Sequence, residues 1–219
     1  MTFPCKAATV WSDDFNDGNY SGWTVESGMF SAEEKNLNPL LDGDSNIIYH
    51  SSLVAKGTWS FDAYFTAFGG GAAEFMLTMD NYGYELEMPY ANMIQLYRMA
   101  GPDQVRVVYY TFQKSLSGWQ HFDITRDSKG RLCIYHNGTL VIDIVDIVDT
   151  SYSESQFFVY IALNSGQAID NIVVSNTVDI EPPPQIPFYM QTWFLTILAI
   201  VGVVIVVAVF TVFLGRRKT

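Results

Sequence analysis

The chain has 219 residues, with 12 Lys and Arg against 23 Asp and Glu and a net charge of −11. Three of the basic residues, Arg216, Arg217 and Lys218, sit at the very end, leaving 9 against 23, or about −14, for everything before them. That balance excludes nucleic acid and anionic surfaces as partners of the main body, because both are held by basic patches. Only two cysteines occur, Cys5 and Cys133, in no CxxC or zinc spacing, so a disulfide between them is permitted by export but not required for a core of this size.

Residues 1–9 read as an unstructured lead. The opening MTFPCKAATVW has no apolar stretch of the kind an export signal needs, so the chain is expected to begin near a cleavage point or to lack its leader. From residue 10 to residue 176 short alternations are divided by turn residues. Trp59, Phe61, Ala63 and Phe65 alternate with Ser60, Asp62 and Tyr64; Phe75, Leu77 and Met79 alternate with Glu74, Met76 and Thr78. Val105, Val107 and Tyr109 alternate with Gln104, Arg106 and Val108. A period of two with one apolar face is that of half-buried strands, which places Trp59 and Trp119 in the core. Asp42-Gly43, Gly69-Gly70-Gly71, Gly101-Pro102-Asp103, Lys129-Gly130 and Ser165-Gly166 read as turns. Asn137-Gly138, between RLCIYH and TLVIDI, is the strongest hairpin signal. His50, His121 and His136 stand alone and read as surface or turn residues. No helical pattern longer than a turn precedes residue 193. The expected fold class is therefore all-β, a two-sheet antiparallel sandwich.

Residues 177–192 contain Pro182-Pro183-Pro184 and Pro187 and read as a stiff stalk, about 3 Å per residue. Residues 193–214 (WFLTILAIVGVVIVVAVFTVFL) carry no charge. They match the roughly 20 apolar residues that a helix needs to span a bilayer, and only a helix satisfies its own backbone there. The basic residues 215–219 stay cytoplasmic, while Phe188, Tyr189 and Trp193 settle at the interface. A single-pass plasma-membrane protein with its N-terminal domain outside is expected.

Three stretches resemble the concanavalin A-like lectin/glucanase superfamily. They are DDFNDGNYSGWTV (13–25), GWQHFDITRDSKGRLCIYHNGTLV (118–141) and AIDNIVVS (168–175). The resemblance implies a two-sheet jelly roll over 10–176, akin to laminin-G-like and carbohydrate-binding modules. It also implies a structural Ca²⁺ where the first and last strands meet, at Asp14 (with Asp13 or Asp17) and Asp170, a donor set that suits a hard cation. Gly83-Tyr84-Glu85-Leu86-Glu87 is similar to the 3-keto-disaccharide hydrolase branch. That fold hosts binders and enzymes alike, so function must come from the site.

Glu85 and Glu87, two apart on a strand, share one face about 6.6 Å apart, near the short end of the inverting glycosidase range. The superfamily's glucanases show Glu-x-Asp-x-x-Glu, whereas this chain has Tyr90 at the third position, and Pro89 should end the strand early. The simpler expectation is a solvent face opposite Tyr84, Leu86 and Met88. Sugars stack their C–H faces on aromatic rings, and Tyr82, Tyr90, Tyr97 and Tyr110, with Tyr64, fall on polar-phase or loop positions. Together with Glu85 and Glu87 they are the carbohydrate-binding candidates. Asn19-Tyr20-Ser21 and Asn137-Gly138-Thr139 are N-glycosylation sequons at turns. The expected function is a non-catalytic, lectin-like surface module. The rival readings are a laminin-G-like adhesion or structural module with a surface-protein partner, and a membrane-tethered glycoside hydrolase.

Overall fold

The structure is a computed structural model that describes residues 8–41, 46–66, 73–79, 82–100, 103–145 and 158–176. Cys5, the stalk, the apolar span 193–214 and the basic tail lie outside the described residues. Among the described residues no helix is long and apolar enough to cross a membrane.

Among the described residues fifteen strands follow one another. The first five are β1 (Thr9–Asp13), β2 (Thr24–Ser27), β3 (Phe30–Ser31), β4 (Asn38–Pro39) and β5 (Asn46–Ser51). Next come β6 (Gly57–Phe65), β7 (Ala73–Met79), β8 (Tyr82–Tyr90), β9 (Met93–Ala100) and β10 (Asp103–Thr111). The last are β11 (Gly118–Arg126), β12 (Arg131–His136), β13 (Thr139–Val145), β14 (Phe158–Leu163) and β15 (Ala168–Asn176). They build a six-stranded sheet in the order β1-β15-β6-β11-β12-β13 and a seven-stranded sheet in the order β10-β9-β8-β7-β14-β5-β2, with β3 and β4 as a small separate pair. Among the described residues the strand pairings within the two large sheets are antiparallel.

The core forms where the two inner faces meet. Strand β6 supplies Trp59, Phe61, Ala63 and Phe65, all buried at the predicted period of two. Phe61 stacks on Phe75 of the other sheet (centroids 4.2 Å apart, 8° between planes) and lies 5.6 Å from Phe122. Tyr84, Leu86 and Met88 of β8, Ile94 and Leu96 of β9, and Val159 and Ile161 of β14 complete the wall. At the far end of β11 the buried Arg126 donates to the Ala55 carbonyl, and buried Asp127 closes the next turn by accepting from the Lys129 and Arg131 amides.

The Asn137-Gly138 hairpin is present between β12 and β13, with φ of +48° and +74°, the two positive values of a type I′ turn. Four expectations are corrected. Trp119 is 44 % exposed and lies against Tyr64, because its pairing with Tyr64 puts it on the outer face of the six-stranded sheet. Strand β10 is an edge strand whose register slips between Arg106 and Val108, so the alternation changes phase: Val108 packs on the core and Tyr109 is turned outward and exposed, while Val105, ahead of the slip, is exposed as well. Pro89 does not end β8 early, since an irregularity between Glu87 and Tyr90 accommodates it. Finally, none of the three histidines is a bare surface group. His50 packs on Trp11 and Trp23, His136 on Phe112 and Phe122, and His121 lies between two aspartates.

Candidate functional site

Residues of β8 that alternate with the core residues Tyr84, Leu86 and Met88 point to the outer face of the seven-stranded sheet. Glu85 and Glu87 are two of these. In register Glu85 pairs with Tyr97 of β9, and Tyr97 pairs with Arg106 of β10. Beside this row, Glu87 pairs with Gln95, and Gln95 with Tyr109, which the slip in β10 has turned outward.

These side chains are hydrogen-bonded to one another. Gln104 Nε2 donates to Glu85 Oε2 at 2.6 Å, and Gln95 Nε2 donates to Glu87 Oε2 at 3.4 Å. Arg106 and the Tyr97 hydroxyl both donate to Gln95 Oε1, at 2.9 and 3.3 Å. The Arg106 guanidinium also lies over the Tyr109 ring, 5.4 Å from its centroid. Glu85 is only 5 % exposed and Gln95 8 %, although both face away from the core. Burial pushes the Glu85 carboxyl above its ordinary range and the Glu87 charge adds to this, against the Gln104 hydrogen bond. Burial likewise raises Tyr97, with Glu87 next in effect.

Further along the same face, Tyr160 of β14 pairs with Tyr49 of β5. Their rings stack at 4.8 Å, and Phe158 meets Tyr49 edge-on at 5.8 Å. Strand β14 lies three strands from β9, about 14 Å at the usual inter-strand spacing. One face thus holds a polar cluster at one end and an aromatic platform at the other, with Glu74 of β7 in register with Glu87 between them.

Of the candidate binding residues, the structure brings together Glu85, Glu87 and Tyr97. Tyr82 and Tyr110 sit at strand ends on the core-facing register, Tyr110 against Phe112, and Tyr90 stands exposed beyond the β8 irregularity. The sequence reading missed Gln95, Gln104, Arg106, Tyr109, Tyr49 and Tyr160. Folding the chain back at Gly101-Pro102 would have set Arg106 opposite Tyr97. No local signal pairs Tyr49 with Tyr160.

The outer face of the six-stranded sheet carries a second polar group. His121 Nδ1 lies 2.6 Å from Asp62 Oδ1, and its Nε2 lies 3.3 Å from Asp123 Oδ1, to which Ser60 also donates. Burial alone would lower the imidazole pKa, but the Asp62 hydrogen bond and the Asp123 charge raise it above its ordinary value of 6.5. A raised folded-state pKa means that the fold favours the protonated ring. Its stabilisation is complete below pH 6.5 and is lost as pH rises through the higher folded value. Melting temperature is therefore expected to fall across that window, and His121→Gln should flatten the dependence; an equally steep profile in the variant would exclude this source.

The opening and closing strands meet as the resemblance implied. Asp13 pairs with Ile172 and Asp170 with Asp62. Burial raises the Asp170 pKa, and the charges of Asp62, Asp14 and Asp13 add to it. Asp13, Asp14 and Asp17 accept from the Phe15, Asn16 and Asn19 amides, which winds residues 13–19 into tight turns. Among the described residues no three or more His, Cys, Asp or Glu groups are arranged to hold a metal ion. A cation at Asp14 and Asp170 would have to complete its shell from backbone carbonyls. Asn19 is exposed and accepts from Ser21, whereas Asn137 clasps the hairpin by accepting from the His121 amide and donating to Gln120. The Cys133 thiol is free and buried and lies 3.6 Å from Asp143, itself paired with Arg131.

Two antiparallel sheets in this order and this packing make a jelly roll of the concanavalin A-like fold. No protein-family model matches the chain, and no curated protein matches it. Solved structures do. It is similar to the carbohydrate-binding module CBM66 from Bacillus subtilis, at 22 % identity over 74 % of this chain and 96 % of that one, with a TM-score of 0.50. It is similar to the carbohydrate recognition domain of Emp46p in its metal-free form, at 12 % identity over 72 % and 90 %, with a TM-score of 0.57. A glycoside hydrolase family 16 endo-glucanase from Bacteroides ovatus matches at 14 % identity over 75 % and 99 %, with a TM-score of 0.54.

Proposed function

We propose that this chain is a non-catalytic glycan-binding module that holds neutral oligosaccharides on the outer face of its seven-stranded sheet. The observation that carries this reading is the row running from Arg106, Tyr97 and Glu85 to Tyr160 and Tyr49. It sets carboxylate, amide and guanidinium groups for sugar hydroxyls beside stacked rings for sugar C–H faces. Among the described residues of this row, the carboxylates Glu85 and Glu87 against the single guanidinium of Arg106 favour a neutral ligand there. Solved structures named as a carbohydrate-binding module and a carbohydrate recognition domain share the fold and support the reading.

A glycan array probed with the full-length chain, with and without calcium, tests this. Selective binding of neutral oligosaccharides is expected, weakened about tenfold or more by Arg106→Ala and by Tyr160→Ala. A blank array from a folded sample would sink the proposal and favour a protein partner. We also propose Ca²⁺ as a structural ion at Asp14 and Asp170. In that case calcium should raise the melting temperature of the wild type and not of Asp170→Ala.

One observation favours a hydrolase as the second reading. Burial raises the Glu85 pKa beside Glu87, and a pair of carboxyl groups in unlike environments is what general acid–base catalysis uses. Shortening of bound glycans, lost in Glu85→Gln, would establish it. Residues 193–214 are proposed to anchor the module in the plasma membrane with residues 10–176 outside. The chain should float with liposomes, and a variant lacking 193–214 should not.

A further inference from the structure

Where β10 gives way to β11, residues 112–117 cross one end of the sandwich. The Phe112 amide donates to the Asn92 carbonyl, and the Leu116 amide to that of Ala91, so this segment is tied to the β8–β9 turn. The segment forms an open surface pocket of about 370 Å³ whose lining includes Phe112, Gln113, Lys114, Ser115, Leu116 and Gln120. That volume falls within the range of small-molecule sites.

The Gln120 side of the pocket is held by hydrogen bonds. Gln120 Nε2 donates to the Ser117 carbonyl at 2.8 Å, while Gln120 Oε1 faces His136 Nε2 at 2.8 Å and accepts from Asn137 Nδ2 at 3.1 Å. Phe112 is held edge-on to His136, 4.7 Å between centroids. Burial lowers the His136 pKa below its ordinary value. Among the described residues of the lining Lys114 is the one charged side chain, and no carboxylate is found there. In a domain near −14 that is an unusual local sign, opposite to the sign of the sheet face bearing Glu74, Glu85 and Glu87.

We infer that this open pocket is a second ligand site, for a sugar residue that bears a carboxylate, such as a uronic acid. Lys114 pairs with the carboxylate, the Phe112 ring supplies an apolar wall for the sugar's C–H face, and Gln113 and Ser115 take hydroxyls. The site is separate from the sheet face and does not depend on what that face binds.

The test is a titration of the full-length chain, followed by amide chemical shifts, in a detergent without a sugar headgroup. The probes are glucuronate, galacturonate, methyl glucoside and acetate. Glucuronate or galacturonate should saturate in the millimolar range and shift the amides of 112–117, with methyl glucoside and acetate at least about tenfold weaker. Lys114→Gln should weaken the uronate about tenfold or more, Lys114→Arg should retain it, and added salt should reduce it. Glu85→Gln should leave it unchanged, which separates this site from the sheet face. Equal binding of methyl glucoside, acetate binding as tightly as the uronates, wild-type affinity in Lys114→Gln, or no saturation by either uronate would each overturn the inference.

Discussion

Phe61→Ala should destabilise the domain by about 3–5 kcal/mol, a large part of the stability of any single domain. Phe61 is fully buried in the middle of β6, which is flanked by β15 and β11. Its ring stacks across the two sheets, face to face with Phe75, and it also neighbours Phe122. Removing it opens a cavity at the centre of the sandwich, where hydrogen-bonded ladders on both sides limit collapse. Phe61→Leu keeps most of the volume and should cost about 1.5 kcal/mol or less. Denaturant midpoints at unchanged slope would measure both; a loss under about 1 kcal/mol for the alanine variant would show that the sheets close over the gap.

Gly57→Ala should be nearly as damaging for a different reason. A Cβ at Gly57 would stand 2.3 Å from the Ser175 carbonyl oxygen and 3.2 Å from Val54 Cγ2. The first obstacle is backbone, in the strand that pairs with Gly57 through Asn176. It cannot turn aside as a side chain does, so β15 must shift away from β6. We expect a loss of about 1–3 kcal/mol or more, the range of overpacked cores. Gly118 is the control. Nothing lies near its Cβ position, and only its φ of +69° penalises alanine, by about 1 kcal/mol. Similar melting temperatures for the two variants would mean that the ladder at Gly57 yields cheaply.

The parts of the fold that local chemistry specifies were legible. Asn137-Gly138 announces its turn, because few other pairs tolerate positive φ twice in succession, and β6 shows its buried face by strict alternation. Misreadings arose where a remote strand decides the outcome. Trp119 looked internal from its own neighbours, and only its pairing with Tyr64 across β6 and β11 shows that it faces outward. The slip at Val107 reverses the phase of β10, and no residue there advertises it. Glu85 was placed on the right face but in the wrong environment, since the Gln104 amide beside it arrives from a strand two places away. The aromatic platform was invisible because Tyr49 and Tyr160 lie more than a hundred positions apart.

The place of the last strand constrains how the molecule is made. β15 lies between β1 and β6, and β14 lies between β7 and β5, so both sheets remain split until residues 158–176 are available. A growing chain therefore carries open strand edges on β5, β6 and β7 while most of the domain is being synthesised. Such edges invite association with other chains. Folding should be slow and should start late, as expected where remote pairings dominate. A premature stop before Phe158 should leave a product that aggregates with both sheets split, and a stop between β14 and Ala168 should leave the six-stranded sheet without its centre.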